Sequence, residues 1–177
     1  MQHFLAITPL QGLAFGLLTL PICLWVVWTD LSEMKIRNKA VLALLAVFVL
    51  AGPALLPLEE YLWRYSHFAV VLAIGFVMSL MGVGAGDAKF AAAMAPFVAL
   101  PDAGLVIGLY VAFSVLLLVG MWLARLSGTL RAAAPGWIWF HEDQRRHVPL
   151  GVGLAPTLMA YFALAAAYGA APGGLLP

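Results

Sequence analysis

From Phe4 to Thr29 the chain carries no Asp, Glu, Lys or Arg. About 20 apolar residues are enough for a helix to cross the ~30 Å hydrocarbon layer of a membrane. Inside that layer every backbone polar group must be satisfied within the segment, which restricts it to a helix or a closed barrel. The rest of the chain has the same character. It is 64% hydrophobic and 10% charged, with mean hydropathy +1.02, where a soluble domain carries about 25% charged residues. The sequence therefore reads as an all-α integral membrane protein. Its 177 residues are too few for a membrane bundle plus an ordinary soluble domain, so residues 1–177 are read as a single membrane-embedded domain.

Pro9 and Gln11 mark the entry to the first span, predicting a helix from about Gly12 to Trp28. Met1-Gln2-His3-Phe4 lacks the basic stretch of a signal peptide, so this run is expected to stay as a span. Further spans are predicted over Ala40–Leu58, Tyr65–Gly86, Ala103–Ala124 and from Val148 onward. Between Tyr65–Gly86 and Ala103–Ala124, the segment Ala88–Pro101 is apolar apart from Lys89. It covers only about 21 Å as a helix, which fits either a short crossing or a re-entrant hairpin. Asp102 follows Pro101 and reads as the N-cap of the next helix. Gly104 and Gly108 form a weak small-residue packing pattern.

Basic loops remain in the cytoplasm. Lys35, Arg37 and Lys39 lie between the first two spans, Lys89 beside the fourth, and Arg125, Arg131, Arg145 and Arg146 between the last two. If the short fourth segment crosses, eight of the nine basic residues fall on one side and Arg64 alone on the other. A hairpin would expel four arginines, so crossing is favoured. The expected architecture is six transmembrane helices with a short fourth, both termini on the non-cytoplasmic side. Net charge is +1, which gives no reason to expect a nucleic-acid partner.

In that topology Asp30 ends the first helix and Asp87 begins the fourth, both at the cytoplasmic face. Ionisable residues set in apolar membrane sequence are costly and mark functional sites. Two carboxylates there can salt-bridge to Lys or Arg, bind a cation or share a proton, and a shared proton splits their titration. The split suits general acid–base attack by water on a peptide carbonyl. Asp87 at a helix N-terminus favours the anion and is assigned the base; Asp30 at a helix C-terminus is assigned the acid. Gly84 and Gly86 leave bare backbone beside Asp87, where an extended substrate can approach. Taken alone, Gly84-Ala85-Gly86-Asp87 reads equally well as a helix end followed by a cap, and Asp30 as an ordinary interfacial carboxylate.

Taken together, the stretches carry a resemblance. Gly84-Ala85-Gly86-Asp87-Ala88-Lys89 resembles the Gly-x-Gly-Asp-x-Lys signature of the aspartic prepilin peptidases, the leader peptidases of type IV pilins. Asp30 to Asn38 is similar to their other signature, an Asp followed by a polar basic stretch and Ile-Pro-Asn, with Arg37 in place of the proline. Val148-Pro149-Leu150-Gly151 is similar to the Pro-x-Gly opening of their last helix. The resemblance implies a multi-pass protease of the bacterial inner membrane with Asp30 and Asp87 as the catalytic pair, acting without cofactor or metal. It implies as substrate a prepilin whose basic leader is cut at the cytoplasmic face, where its apolar helix enters the lipid bilayer. Lys89 would contact a lipid phosphate or an acidic pilin residue, or simply snorkel. Asn38 would bond near Asp30 or cap the second helix. The bifunctional members carry a four-cysteine zinc site with a methyltransferase; this chain has only Cys23 and resembles the short peptidase-only type that serves Flp pilins of Tad systems.

The remaining polar features read as structural. His141 and His147 are six residues apart, wrong for a zinc pair on one helix face. Trp137 to Phe140 suits the headgroup region, and His67 reads as a satisfied interhelical polar group. The competing reading is a small transport or assembly subunit using Asp30 and Asp87 as a proton or cation site.

Overall fold

In the computed structural model, residues 5–82, 84–127 and 151–170 are described. The polar stretch from residue 128 to 150, with Trp137–Phe140, His141, His147 and Val148–Leu150, lies outside them. Among the described residues six α-helices follow in order: α1 (Pro9–Glu33), α2 (Asn38–Leu55), α3 (Leu58–Leu80), α4 (Ala85–Met94), α5 (Ala103–Leu126) and α6 (Gly151–Tyr168). Two single 3-10 turns, Ala95–Phe97 and Leu100–Asp102, join α4 to α5. By length and hydropathy α1, α2, α3 and the Leu100–Ala124 stretch can each cross a membrane, and Val152–Tyr168 is a shorter apolar helix.

Local chemistry shifts the helix ends from those expected. α1 starts at Pro9 because Thr8 and Gln11 form a capping box, with bonds of 3.3 and 2.9 Å, and proline suits the first helical position. It runs on to Glu33 and stops at Met34, whose φ of 51° is left-handed. Asp30 thus lies inside the last turn. α3 begins at Leu58, with Glu59 and Glu60 in its first turn, where carboxylates suit the helix dipole. It ends at Leu80 rather than Gly86. Gly82 then turns the chain at φ +100°, a conformation natural only to glycine, and α4 begins at Ala85.

The helices alternate in direction. α3 and α4 run antiparallel, with Gly75 against Ala88 at one end and His67 Nδ1 3.2 Å from the Val98 carbonyl toward the other. A Cβ at Gly75 would stand 2.9 Å from that of Ala88, so the two backbones approach closely. α1 and α6 also run antiparallel: Gly12 meets Ala165 and Phe162, and Asp30 meets Val152. The fourth pass runs from Asp87 at one end to Asp102 at the other in one short helix and two turns, so it is no re-entrant hairpin. Its helix is buried among the others through Ala88, Phe90, Ala92 and Ala93. Phe97, in the first 3-10 turn, packs edge-on against Phe15, Phe48 and Phe162 at 5.1–5.8 Å.

The end away from Asp30 and Asp87 is tied by polar groups. Asp102 stands at the N-cap position of α5 but its side chain makes no capping bond. It is buried, and its carboxylate accepts the Ala6 N–H at 3.0 Å and the Tyr161 hydroxyl at 2.7 Å. Arg64 is also buried at this end. It sits within α3, 1% exposed, paired with Glu60 at 2.6 Å and donating to the Pro96 and Phe97 carbonyls at 3.2 and 3.0 Å. His67 is satisfied only on one nitrogen, for Nε2 has no partner among the described residues. Gly104 and Gly108 meet no neighbouring helix among the described residues.

Candidate active site

Asp30, Asn38, Gly84, Gly86, Asp87 and Lys89 come to one end of the bundle. Asp30 stands in the last turn of α1 and is 3% exposed. Its Oδ2 accepts the backbone N–H of Val152 at 3.0 Å. Val152 is the second residue of α6, so this N–H is one of the amides a helix leaves unpaired at its start. The carboxylate therefore faces the positive end of the α6 dipole.

Asp87 occupies the first turn of α4 and is half-buried. Its carboxylate folds back over the start of its own helix: Oδ2 lies 2.5 Å from where a Cβ on Gly84 would be. Both carboxylates thus sit at a helix N-terminus. Asp30 meets both the C-terminal turn of its own helix and the N-terminal amide of α6, whereas Asp87 lies at the N-terminus of its own helix.

The connection between α1 and α2 reaches across to α4. A Cβ on Gly86 would stand 3.3 Å from that of Ile36 and 3.5 Å from its carbonyl oxygen, so the bare backbone at Gly86 receives Ile36. Lys89 Nζ donates to Asn38 Oδ1 at 3.5 Å. α2 begins at Asn38, and Arg37 precedes it as the cap residue without a side-chain capping bond. Arg37 has φ −76°, within the range a proline ring imposes, and its guanidinium pairs with Glu33 at 2.7 Å on the exposed surface. Arginine at this position therefore keeps the turn a proline would make.

Sequence reasoning missed three participants. Val152 supplies the amide to Asp30, and the signal for it was Pro149-Leu150-Gly151 opening a helix. Ile36 seats Gly86. Tyr110 of α5 lines the same cleft as Asp87 and lies within reach of its charge; nothing in the apolar α5 sequence singled it out. Among the described residues no three His, Cys, Asp or Glu side chains converge as a metal-ligand set.

The two carboxylates lie at the same end of the bundle, Asp30 buried against the Val152 amide and Asp87 half-buried in the first turn of α4, and carboxylates can serve as general acids and bases toward a water. A sequence profile of the type IV leader peptidase family matches residues 17–124. No curated protein and no solved structure matched the chain.

Proposed function

Because the chain belongs to the type IV leader peptidase family, and so to a family of proteases, we propose that it is an aspartic endopeptidase that removes the leader of prepilins. The observation that carries this reading is the convergence of Asp30 and Asp87 at one end of an apolar bundle, each against the start of a helix. One carboxylate takes a proton from water while the other, protonated, hydrogen-bonds the scissile carbonyl. Water oxygen adds to the carbonyl carbon, giving a tetrahedral diol. The diol collapses as the leaving amine takes a proton from the pair, and the C–N bond breaks without an acyl-enzyme.

The exposed Lys35, Arg37, Lys39 and Lys89 all lie at the Asp30/Asp87 end, while Arg64 at the opposite end is buried and neutralised. Basic residues stay cytoplasmic, which supports a cytoplasmic site in the bacterial inner membrane and termini on the other side. The substrate is then a prepilin, its short basic leader in the cytoplasm and its apolar helix in the bilayer, cut at the junction between them. Within residues 1–177 the one cysteine, Cys23, builds no four-cysteine zinc site, in keeping with the short, peptidase-only Flp type of Tad systems. Gly84, Gly86, Lys89 and Asn38 shape the approach to the pair, with Lys89 facing an acidic group of the substrate or a lipid phosphate.

Membranes containing the chain and a tagged prepilin test this. Wild-type protein is expected to release the leader, read by mass spectrometry, and both Asp30→Ala and Asp87→Ala to abolish release. Intact cleavage in either variant overturns the two-aspartate reading.

A further inference from the structure

α3 and α5 flank α4 without closing over it. They leave a cleft of about 860 Å³ whose floor includes Ala88 and Ala91 of α4 and Ala95 of the 3-10 turn that follows it. Val70 and Ile74 of α3 and Ile107 of α5 wall it, and each is more than half exposed. The cleft extends along α3 from Trp63 to Met78, a rise of about 22 Å against a hydrocarbon thickness of ~30 Å. Among the described residues that line it, Asp87 is the single Asp, Glu, Lys or Arg, and it stands at one end.

This charge pattern selects an occupant. Along its length the cleft complements something uncharged and apolar, and small alanines on the floor allow close approach of a helix backbone. At its end the occupant must offer a group that a carboxylate can act on or bond. A lipid acyl chain meets the first requirement and not the second, whereas a membrane helix continuing into an extended peptide meets both. We propose that this cleft seats the apolar helix of the substrate alongside α4, with the leader junction delivered to Asp87. The inference rests on the protease reading above and adds to it the seat of the substrate's membrane segment.

The probe is a synthetic chain with a Lys-rich leader, a glycine junction and about 20 Leu, Ala and Val residues, in vesicles of phosphatidylcholine and phosphatidylglycerol. In the full-length Asp87→Asn protein, a photoreactive residue in place of Ile74 or Ile107 is expected to cross-link the probe helix. The same residue in place of Leu50, exposed on α2, is not. Ala91→Leu and Ala95→Leu raise the floor and are expected to increase KM for the probe about 10-fold, with kcat within about twofold. Equal cross-linking from Leu50, cross-links to lipid alone, or an unchanged KM overturns the seat while leaving the aspartate results standing. Cross-linking needs no turnover. A wild-type chain that cuts nothing overturns the protease reading, and helix cross-links at Ile74 and Ile107 in that chain still support the seat.

Discussion

Gly84 lacks a side chain for reasons of space, not of backbone freedom. Its φ of −57° suits any residue, but the Asp87 carboxylate occupies the place of its Cβ. A methyl group there pushes Asp87 off its helix start. Displacing a catalytic group by about 1 Å costs on the order of 10²-fold in rate. Gly84→Ala is therefore expected to lower leader cleavage by about that factor while the thermal midpoint in detergent stays close to wild type. Wild-type rates in this variant mean that Asp87 has room to turn without loss. At this scale the sequence was partly legible. Asp30 and Asp87 stood out because carboxylates in apolar membrane sequence are costly. Asp102 was misread because a Pro-Asp before a helix looks the same locally whether the carboxylate caps that helix or not. Its partners, Ala6 and Tyr161, lie 96 and 59 residues away, and local grammar says nothing of them.

Among the elements, α4 was the hardest to place. Its ten residues are short for a crossing, and the pass is finished by two 3-10 turns whose carbonyls need donors. Arg64 supplies two of these bonds from the neighbouring helix. Cations at a helix C-terminal end are also favoured by its dipole. Removing the guanidinium leaves buried carbonyls unpaired and Glu60 without its partner, so Arg64→Ala is expected to destabilise the fold by about 3 kcal/mol. Arg64→Lys, with one compact ammonium in place of a planar fork, is expected to recover part of this. Thermal or denaturant unfolding in detergent micelles checks both, and a midpoint unchanged in Arg64→Ala removes Arg64 from the account of how α4 is held. Helix existence was readable from hydropathy throughout. Boundaries were not, because caps such as Thr8–Gln11 and turns such as Gly82 decide them through two or three atoms.

For the whole molecule, the two ends differ in chemistry. Exposed cations crowd the Asp30/Asp87 end, while at the other end Arg64 pairs with Glu60 and buried Asp102 accepts the Tyr161 hydroxyl. The passes between them follow from alternation, which the sequence carried in the spacing of its apolar runs. The cleft over α4 was invisible there, since it arises from α3 and α5 standing apart rather than from any motif. Orientation is then a question with a direct test. Cys23 is 2% exposed and gives little background to a membrane-impermeant maleimide. Lys39→Cys, at the site end, is expected to label in inverted membrane vesicles and not in intact cells. Glu59→Cys, at the opposite end, is expected to do the reverse. Labelling of Lys39→Cys from outside the cell would place Asp30 and Asp87 on the non-cytoplasmic face. A leader held in the cytoplasm could not reach them there, and the prepilin proposal would fail even with both carboxylates intact.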